Sequence, residues 1–539
     1  MTGPLLSISS LDVTLSGRRL LHDVSLTLDA GETLALTGES GSGKSLTALA
    51  VMGLLPARMR TGGTITLGGT ELTDLAPRAR DLLRGSQIGM VFQEPMTALN
   101  PLHTIGQQIA EVFTIHGRPV PDIGGLLHRV GLDVPPGRYP HELSGGQRQR
   151  VVIAMAIALR PRLIIADEPT TALDVTTQAQ ILDLLKSLTQ EDGSTLMLIS
   201  HDLAVVSGMA DRIAVMQNGQ IVETAATEQL LRHPQHPYTR SLLAASSHRS
   251  PLPPAPPARP LLQAHDITVR YPQPRRGLRR TPDATTLDHV SLILRSGERV
   301  GLVGESGCGK STLARALLGL QPLAGGQVTL ADHPIADRQA KARIQVVFQD
   351  PYGSFNPRHK VGRLLAEPFH LRRPHPDRAQ VDAAIAQALT DVGLSPDDTE
   401  KHIHAFSGGQ RQRLAIARAL VIEPDVIVLD EAVSALDVRV RAQVLDLLAG
   451  LSARRGLAWL FISHDLGVVQ SITDRVLVMD QGRIVEDAPT AQIFASPKHH
   501  VTKRLLAAMP QLPETHGHTH PSIDQNHPIQ EPTDDPRTP

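Results

Sequence analysis

One set of residues occurs twice in this chain at a near-constant separation. Gly38-Glu39-Ser40-Gly41-Ser42-Gly43-Lys44-Ser45 returns as Gly304-Glu305-Ser306-Gly307-Cys308-Gly309-Lys310-Ser311. Leu143-Ser144-Gly145-Gly146-Gln147 returns as Phe406-Ser407-Gly408-Gly409-Gln410. The step is 263 residues from Ser144 to Ser407, from Asp167 to Asp430 and from His201 to His464. A repeat that long is no solenoid unit; it has the size of a whole domain. The chain is expected to fold as two copies of one nucleotide-handling unit, joined head to tail.

Composition narrows the classes further. Only 2% of the 539 residues are aromatic, with Trp459 the sole tryptophan, so the two cores must be aliphatic. The 53 basic and 54 acidic side chains nearly cancel. That leaves no global electrostatic drive toward nucleic acid or an anionic bilayer. Cys308 is the only cysteine, which excludes an intrachain disulfide or a cysteine-rich metal centre. The apolar run Val151 to Leu159 is among the longest, at nine residues. A membrane span needs ~20. Met1-Thr2-Gly3-Pro4 has no basic region ahead of its short apolar stretch, which argues against a signal peptide.

Each half repeats one order of elements. Leu34-Ala35-Leu36-Thr37 and Val300-Gly301-Leu302-Val303 read as strands running into the Gly-rich loops, and helix-forming residues follow both. The stretches 101–142 and 358–405 are helical and polar, as inserted helical subdomains would be. Leu163-Ile164-Ile165-Ala166 and Val426-Ile427-Val428-Leu429 are continuous apolar runs ending in acid, the pattern of buried parallel strands. The expected division is a first unit over 1–249, a proline-rich linker over 250–260, a second unit over 261–508 and a disordered tail over 509–539.

The Gly-rich loops carry the first chemistry. Gly38, Ser40, Gly41 and Gly43, and likewise Gly304, Ser306, Gly307 and Gly309, let backbone N–H groups converge on phosphate oxygens at the start of a helix. Lys44 and Lys310 would reach the β and γ phosphates. Ser45 and Ser311, the latter followed by Thr312, would place a hydroxyl on Mg²⁺. Asp167 and Asp430 end apolar strands, where an acid can hold that Mg²⁺. Glu168 and Glu431 beside them suit a general base toward the attacking water. Gln93 and Gln349 could touch Mg²⁺ or that water without adding charge. His201 and His464 could donate to the γ-phosphate.

This set, with Ser144-Gly145-Gly146-Gln147 as its discriminating element, resembles the nucleotide-binding subunit of ATP-binding cassette (ABC) transporters. The resemblance runs over both halves, from about residue 5 to 507. It implies an α/β fold of two tandem P-loop NTPase domains. Each would have a RecA-like core, an antiparallel β subdomain and an inserted α-helical subdomain. It also implies two composite ATP sites, each closed by the signature turn of the opposite half. Lys44, Ser45, Gln93, Asp167, Glu168 and His201 would face Ser407, Gly408, Gly409 and Gln410. Lys310, Ser311, Gln349, Asp430, Glu431 and His464 would face Ser144, Gly145, Gly146 and Gln147. Asp174 and Asp437 resemble the loops that signal across such a dimer. Neither site lacks a key residue, so both are expected to hydrolyse ATP. Tyr271 suits the family's adenine-stacking position; Leu15 stands in its place in the first half.

Further stretches resemble importers of di- and oligopeptides: Phe92-Gln93-Glu94-Pro95-Met96-Thr97-Ala98-Leu99-Asn100-Pro101, Phe348-Gln349-Asp350-Pro351-Tyr352-Gly353-Ser354-Phe355-Asn356-Pro357, Arg275 to Arg280, and His236-Pro237-Tyr238-Thr239-Arg240. The resemblance implies a peripheral ATPase on the cytoplasmic face of the inner membrane, working with two permeases and an extracytoplasmic solute-binding protein. Membrane contact would run through the permeases, and no nucleic acid is implied. The same subfamily also imports nickel chelates, glutathione and other small solutes. Twin-cassette ribosome-associated ATPases share the core motifs, but their connector is typically a long charged helical arm, not a short proline-rich one. His404-Ala405 replaces His141-Glu142 before the second signature, losing an acid. His516-Gly517-His518-Thr519-His520 reads as an incidental feature of the tail rather than a metal site.

Overall fold

The structure is a computed structural model. It describes residues 3–171, 173–250, 252, 259–272, 283–350, 353–434 and 436–512. The Arg275–Arg280 cluster, most of the proline-rich connector, Pro351, Tyr352 and the His516–His520 motif lie outside the described residues.

Among the described residues each half contains two sheets. In the first half, a six-stranded sheet runs in the order Gln220–Ala226, Arg212–Gln217, Thr33–Thr37, Thr195–Ile199, Leu163–Asp167, Ile88–Val91. All neighbours pair parallel except the Gln220–Ala226 edge. The Leu163–Asp167 and Thr195–Ile199 strands are buried along their whole length. Continuous apolar sequence is what a sheet covered on both faces requires. A second, antiparallel sheet joins Arg18–Leu28, Leu6–Leu15, Met59–Leu67 and Thr70–Glu71. The second half repeats both sheets, with Arg299–Val303 at the place of Thr33–Thr37 and Val426–Asp430 at that of Leu163–Asp167. The cores are aliphatic, with Trp459 and Phe461 as fully buried exceptions.

Helices fill the inserted segments. In the first half, Thr104 opens Ile105–Ile115 with a capping box completed by Gln107. In the second, Asp377 and Gln380 do the same for Arg378–Asp391. The signature helices Gly145–Ile157 and Gly408–Leu420 close the subdomains.

The C-terminal extension of each half packs on its own core and also touches the other half. Helix Pro237–Ser246 of the first half packs against Val438–Arg455 of the second. Just beyond it, Nε2 of His248 lies 2.7 Å from Oδ1 of Asp446. Reciprocally, His500–Ala507 packs against Val175–Asp192. The backbone carbonyl of Gln511 accepts from Ser207 at 3.3 Å, and Leu512 packs on the first half's core.

Two boundaries differ from the sequence expectation. The first strand of the second half already starts at Pro260, inside the expected linker. The tail does not begin at 509, because Met509 and Leu512 carry apolar side chains that pack on opposite halves. The polar composition begins only after them.

Candidate functional site

Each Gly-rich loop joins the central strand of its large sheet to a helix, Lys44–Met52 or Lys310–Leu317. Close approach fixes its first glycine. A Cβ on Gly38 would stand 2.1 Å from the Met216 carbonyl oxygen, and one on Gly304 would stand 2.3 Å from that of Met479. Lys44 Nζ donates to the carbonyls of Gly38 and Glu39, both at 2.8 Å. Lys310 Nζ donates to Gly304 and Glu305 at 2.8 and 2.9 Å, with Cys308 Sγ at 3.9 Å. Both lysines are buried, so each cation is held by its own loop.

Ser45 Oγ donates to Oδ1 of Asp167 at 3.1 Å. Burial pushes the Asp167 carboxyl above its usual range, with the Ser45 hydrogen bond pulling the other way. Burial and then the neighbouring Glu431 charge push Asp430 up as well. A hydroxyl beside a desolvated carboxylate fits a divalent cation, whose charge would reverse that penalty.

Glu168 and Glu431 follow their strands with φ of 45° and 51°, a strained conformation for a side-chain-bearing residue. The Glu168 N–H donates to the Ile199 carbonyl on the neighbouring strand, and that of Glu431 to Ile462. The Glu168 carboxylate accepts from Gln93 Nε2 at 2.8 Å and from Thr171 Oγ1 at 2.9 Å. His201 Nδ1 lies 3.0 Å from its Oε1. Burial opposes ionisation, but the bond to His201, the bond from Thr171 and the Lys44 charge outweigh it and hold Glu168 at about 2. In the second half, His464 Nδ1 lies 3.4 Å from Oε1 of Glu431. This bond leads in pulling Glu431 down. Gln349 is exposed at the end of Ile344–Val347.

Ser144 and Ser407 each cap a signature helix. Their hydroxyls accept from the backbone N–H of Gln147 and Gln410, whose side chains return a bond to the serine N–H. Gly146 and Gly409 have no room for a side chain, since a Cβ would meet Thr177 at 2.5 Å or Val440 at 2.4 Å. Each signature turn thus rides on the first turn of a long helix whose cap is Asp174 or Asp437. Gly145 and Gly408 are exposed beside them. In the second half Ala405 lacks the carboxylate with which Glu142 accepts from the Tyr139 N–H at 2.7 Å.

Across the halves, Leu173 and Asp174 line a cavity of about 200 Å³ together with Ser306, Gly307, Gly309, Lys310, Ser311, Thr312, Glu431 and His464. On the other side, the Asp437 charge reaches Lys44. Ser144 and Ser407 are exposed, and the Ser144 turn does not contribute to the lining of that cavity. A larger cavity of about 440 Å³ lies between the halves, with Glu168 and His201 on one wall and His464 on another. Tyr271 ends the strand Pro260–Tyr271 and donates its hydroxyl to Gln321 Oε1 at 2.9 Å. Leu15, half-buried, ends the matching strand.

Sequence reasoning passed over Glu39, Tyr238 and Arg439. The Tyr238 hydroxyl accepts from the Glu39 N–H at 3.0 Å, and Arg439 Nη1 lies 3.0 Å from Oε1 of Glu39. Glu39 and Tyr238 each sit inside a recognised stretch, but their contact with each other and with Arg439 is made by folding, and no local pattern announces it.

The ABC transporter family model matches residues 21–171 and 287–434. A second model, the C-terminal region of oligopeptide/dipeptide transporters, matches 222–261 and 485–535. The chain is 46% identical to the peptidoglycan transport ATP-binding protein YejF of Agrobacterium fabrum, covering 94% of this chain and 96% of that protein. It is 44% identical to the uncharacterized ABC transporter ATP-binding protein YejF of Escherichia coli, over 94% and 100%. It is 43% identical to the glutathione import ATP-binding protein GsiA of Salmonella choleraesuis, over 94% and 89%. Among solved structures, the archaeal ribosome recycling factor aABCE1, in complex with stalk protein aP1, superposes with a TM-score of 0.60. That match covers 89% of this chain and 90% of that one at 18% identity, a likeness of fold alone. The repeated phosphate loops, strand-end acids and signature helices are therefore those of two ATP-binding cassettes in one polypeptide, and the chain belongs to the ABC transporter family as an ATP-binding, ATP-hydrolysing component.

Proposed function

We propose that this chain is the fused pair of ATPase subunits of an importer for peptide-bearing solutes, with two composite ATP sites. The observation that carries the composite reading is the placement of Leu173 and Asp174 against the phosphate loop of the other half. The peptide reading is supported by the oligopeptide/dipeptide C-terminal match in both halves. It is also supported by relatives named for peptidoglycan transport and glutathione import, since both cargoes contain peptide bonds. Glutathione itself remains the specific second reading.

Lys44 and Lys310 would leave their own loop carbonyls for the β and γ phosphates. Ser45, Asp167 and Gln93, and Ser311, Asp430 and Gln349, would hold Mg²⁺. When bound, that ion supplies charge neutralisation on the phosphates. His201 holds Glu168 in its most acidic, least basic state. Turning His201 toward a γ-phosphate would release the carboxylate and make it a stronger base for the attacking water. The exposed Ser144 and Ser407 turns would then close over the nucleotide of the opposite half. Their hydroxyls keep a free donor, and their helices present N-termini to anions.

Among the described residues no helix is long and apolar enough to cross a membrane. The chain would dock on two permeases at the cytoplasmic face of the inner membrane, with a solute-binding protein delivering cargo on the far side. Affinity capture of the full chain from its host's membranes tests this. Two multi-span membrane proteins are expected in the eluate; ribosomal subunits in their place would refute it.

A further inference from the structure

The two phosphate-loop glutamates share one repeat position but are gripped by different arginines. Oε1 of Glu39 lies 3.0 Å from Nη1 of Arg439, which belongs to the second half, two residues past Asp437. Oε1 of Glu305 lies 2.8 Å from Nη2 of Arg504, which belongs to its own half's extension helix. The 263-residue step puts Thr176 in the place of Arg439 and Ser241 in the place of Arg504. The first half therefore has no arginine at position 176 with which to return the cross-half grip.

Glu39 is fixed at three atoms. Its N–H donates to Tyr238, its carbonyl accepts from Lys44, and its carboxylate meets Arg439. Arg439 thus reaches, through one residue, the backbone that holds the phosphate-binding lysine. It also stands in the first turn of the helix that Asp437 caps. Burial pushes the Glu39 carboxyl up, and Arg439 is the strongest influence pulling it back, so the pair is partly desolvated.

We infer that Arg439 is a positioning residue acting across the halves on the first ATP site alone, pinning the Asp437 loop to the first phosphate loop before nucleotide arrives. This rests on the composite-site reading above. A half already docked has less ordering left to do when ATP binds, so the first site gains affinity that the second lacks.

The test titrates a fluorescent ATP analogue into the full chain in two backgrounds. Lys310→Ala leaves the first site, and Lys44→Ala leaves the second. In the first background Arg439→Thr should weaken binding roughly three- to fivefold, the scale of a half-exposed ion pair. In the second background it should change nothing. Arg439→Lys should restore most of the loss, and the gap between parent and variant should narrow as salt is raised. Equal weakening in both backgrounds, or none in the first, overturns the inference. Binding at the Lys44 site that is weakened by Ser144→Ala and not by Ser407→Ala overturns the composite-site reading beneath it, a distinguishable result.

Discussion

His201 Nδ1 stands 3.0 Å from the Glu168 carboxylate, whereas His464 Nδ1 stands 3.4 Å from that of Glu431. The difference extends to their neighbours. Thr171 donates its hydroxyl to the Glu168 side chain, while Ser434, its repeat equivalent, turns its hydroxyl to the Glu431 backbone carbonyl. The two acids share sequence context but are held unequally in the resting chain.

If these acids are the bases, removing both should stop turnover without stopping binding. Glu168→Gln with Glu431→Gln keeps the hydrogen-bonding shape and removes the charge. Phosphate release should fall by about 10²–10⁴-fold, the usual value of a positioned base. ATP should remain bound and the halves closed, as read by size-exclusion chromatography and nucleotide retention. Turnover persisting in the double variant would remove both residues from the mechanism.

Glu168 and His464 titrate with opposite signs. Glu168 is held at about 2, below its ordinary 4.5, so its contribution to stability is complete above 4.5 and is lost as pH falls toward 2. Burial lowers the His464 pKa, but the Glu431 hydrogen bond and charge win, and it ends above 6.5. Its contribution is complete below 6.5 and is lost as pH rises through the higher folded value. The Tm gap between wild type and Glu168→Gln should therefore close on acidification below about pH 5. The gap for His464→Gln should close on the alkaline side. The Glu168 shift, from 4.5 to about 2, corresponds to at most about 3–4 kcal/mol.

Much of the site was legible because its geometry is local. A glycine that cannot bear a Cβ, a serine that caps its own helix through Gln147 and an acid at the end of an apolar strand all announce themselves within a few residues. The docking of the halves was not legible in that way. Glu39 and Arg439 are separated by most of the chain, and His248 meets Asp446 only because the end of the first half's extension lies against the second half. Met509 and Leu512 were read as part of a polar tail, since two apolar residues make no period. What they bury against is set by the arrangement of two already folded units.

The adenine end of the sites should differ in affinity. The Tyr271 hydroxyl is anchored on Gln321, which fixes the ring at the strand end, whereas Leu15 offers no π-face. Aromatic stacking is worth ~0.5–1.5 kcal/mol beyond burial. Tyr271→Leu should weaken nucleotide binding at the second site by about two- to tenfold on that scale, and Leu15→Tyr should tighten the first. Equilibrium titration of single-site chains reads both. An unchanged Tyr271→Leu chain would place the base elsewhere.

The signature serines give the sharpest contrast, because each should act on the site it does not belong to. Ser144→Ala removes a helix cap, worth about 1 kcal/mol, and a hydroxyl aimed at an anion site. If closure pairs opposite halves, the loss falls on the Lys310 site and spares the Lys44 site. Ser407→Ala should do the reverse. Turnover measured with Glu168→Gln or Glu431→Gln in the same chain isolates one site at a time. With Glu168→Gln, Ser144→Ala should cut the remaining rate about tenfold or more, while Ser407→Ala should cost far less. A serine that harms the site of its own half would mean the halves never meet face to face.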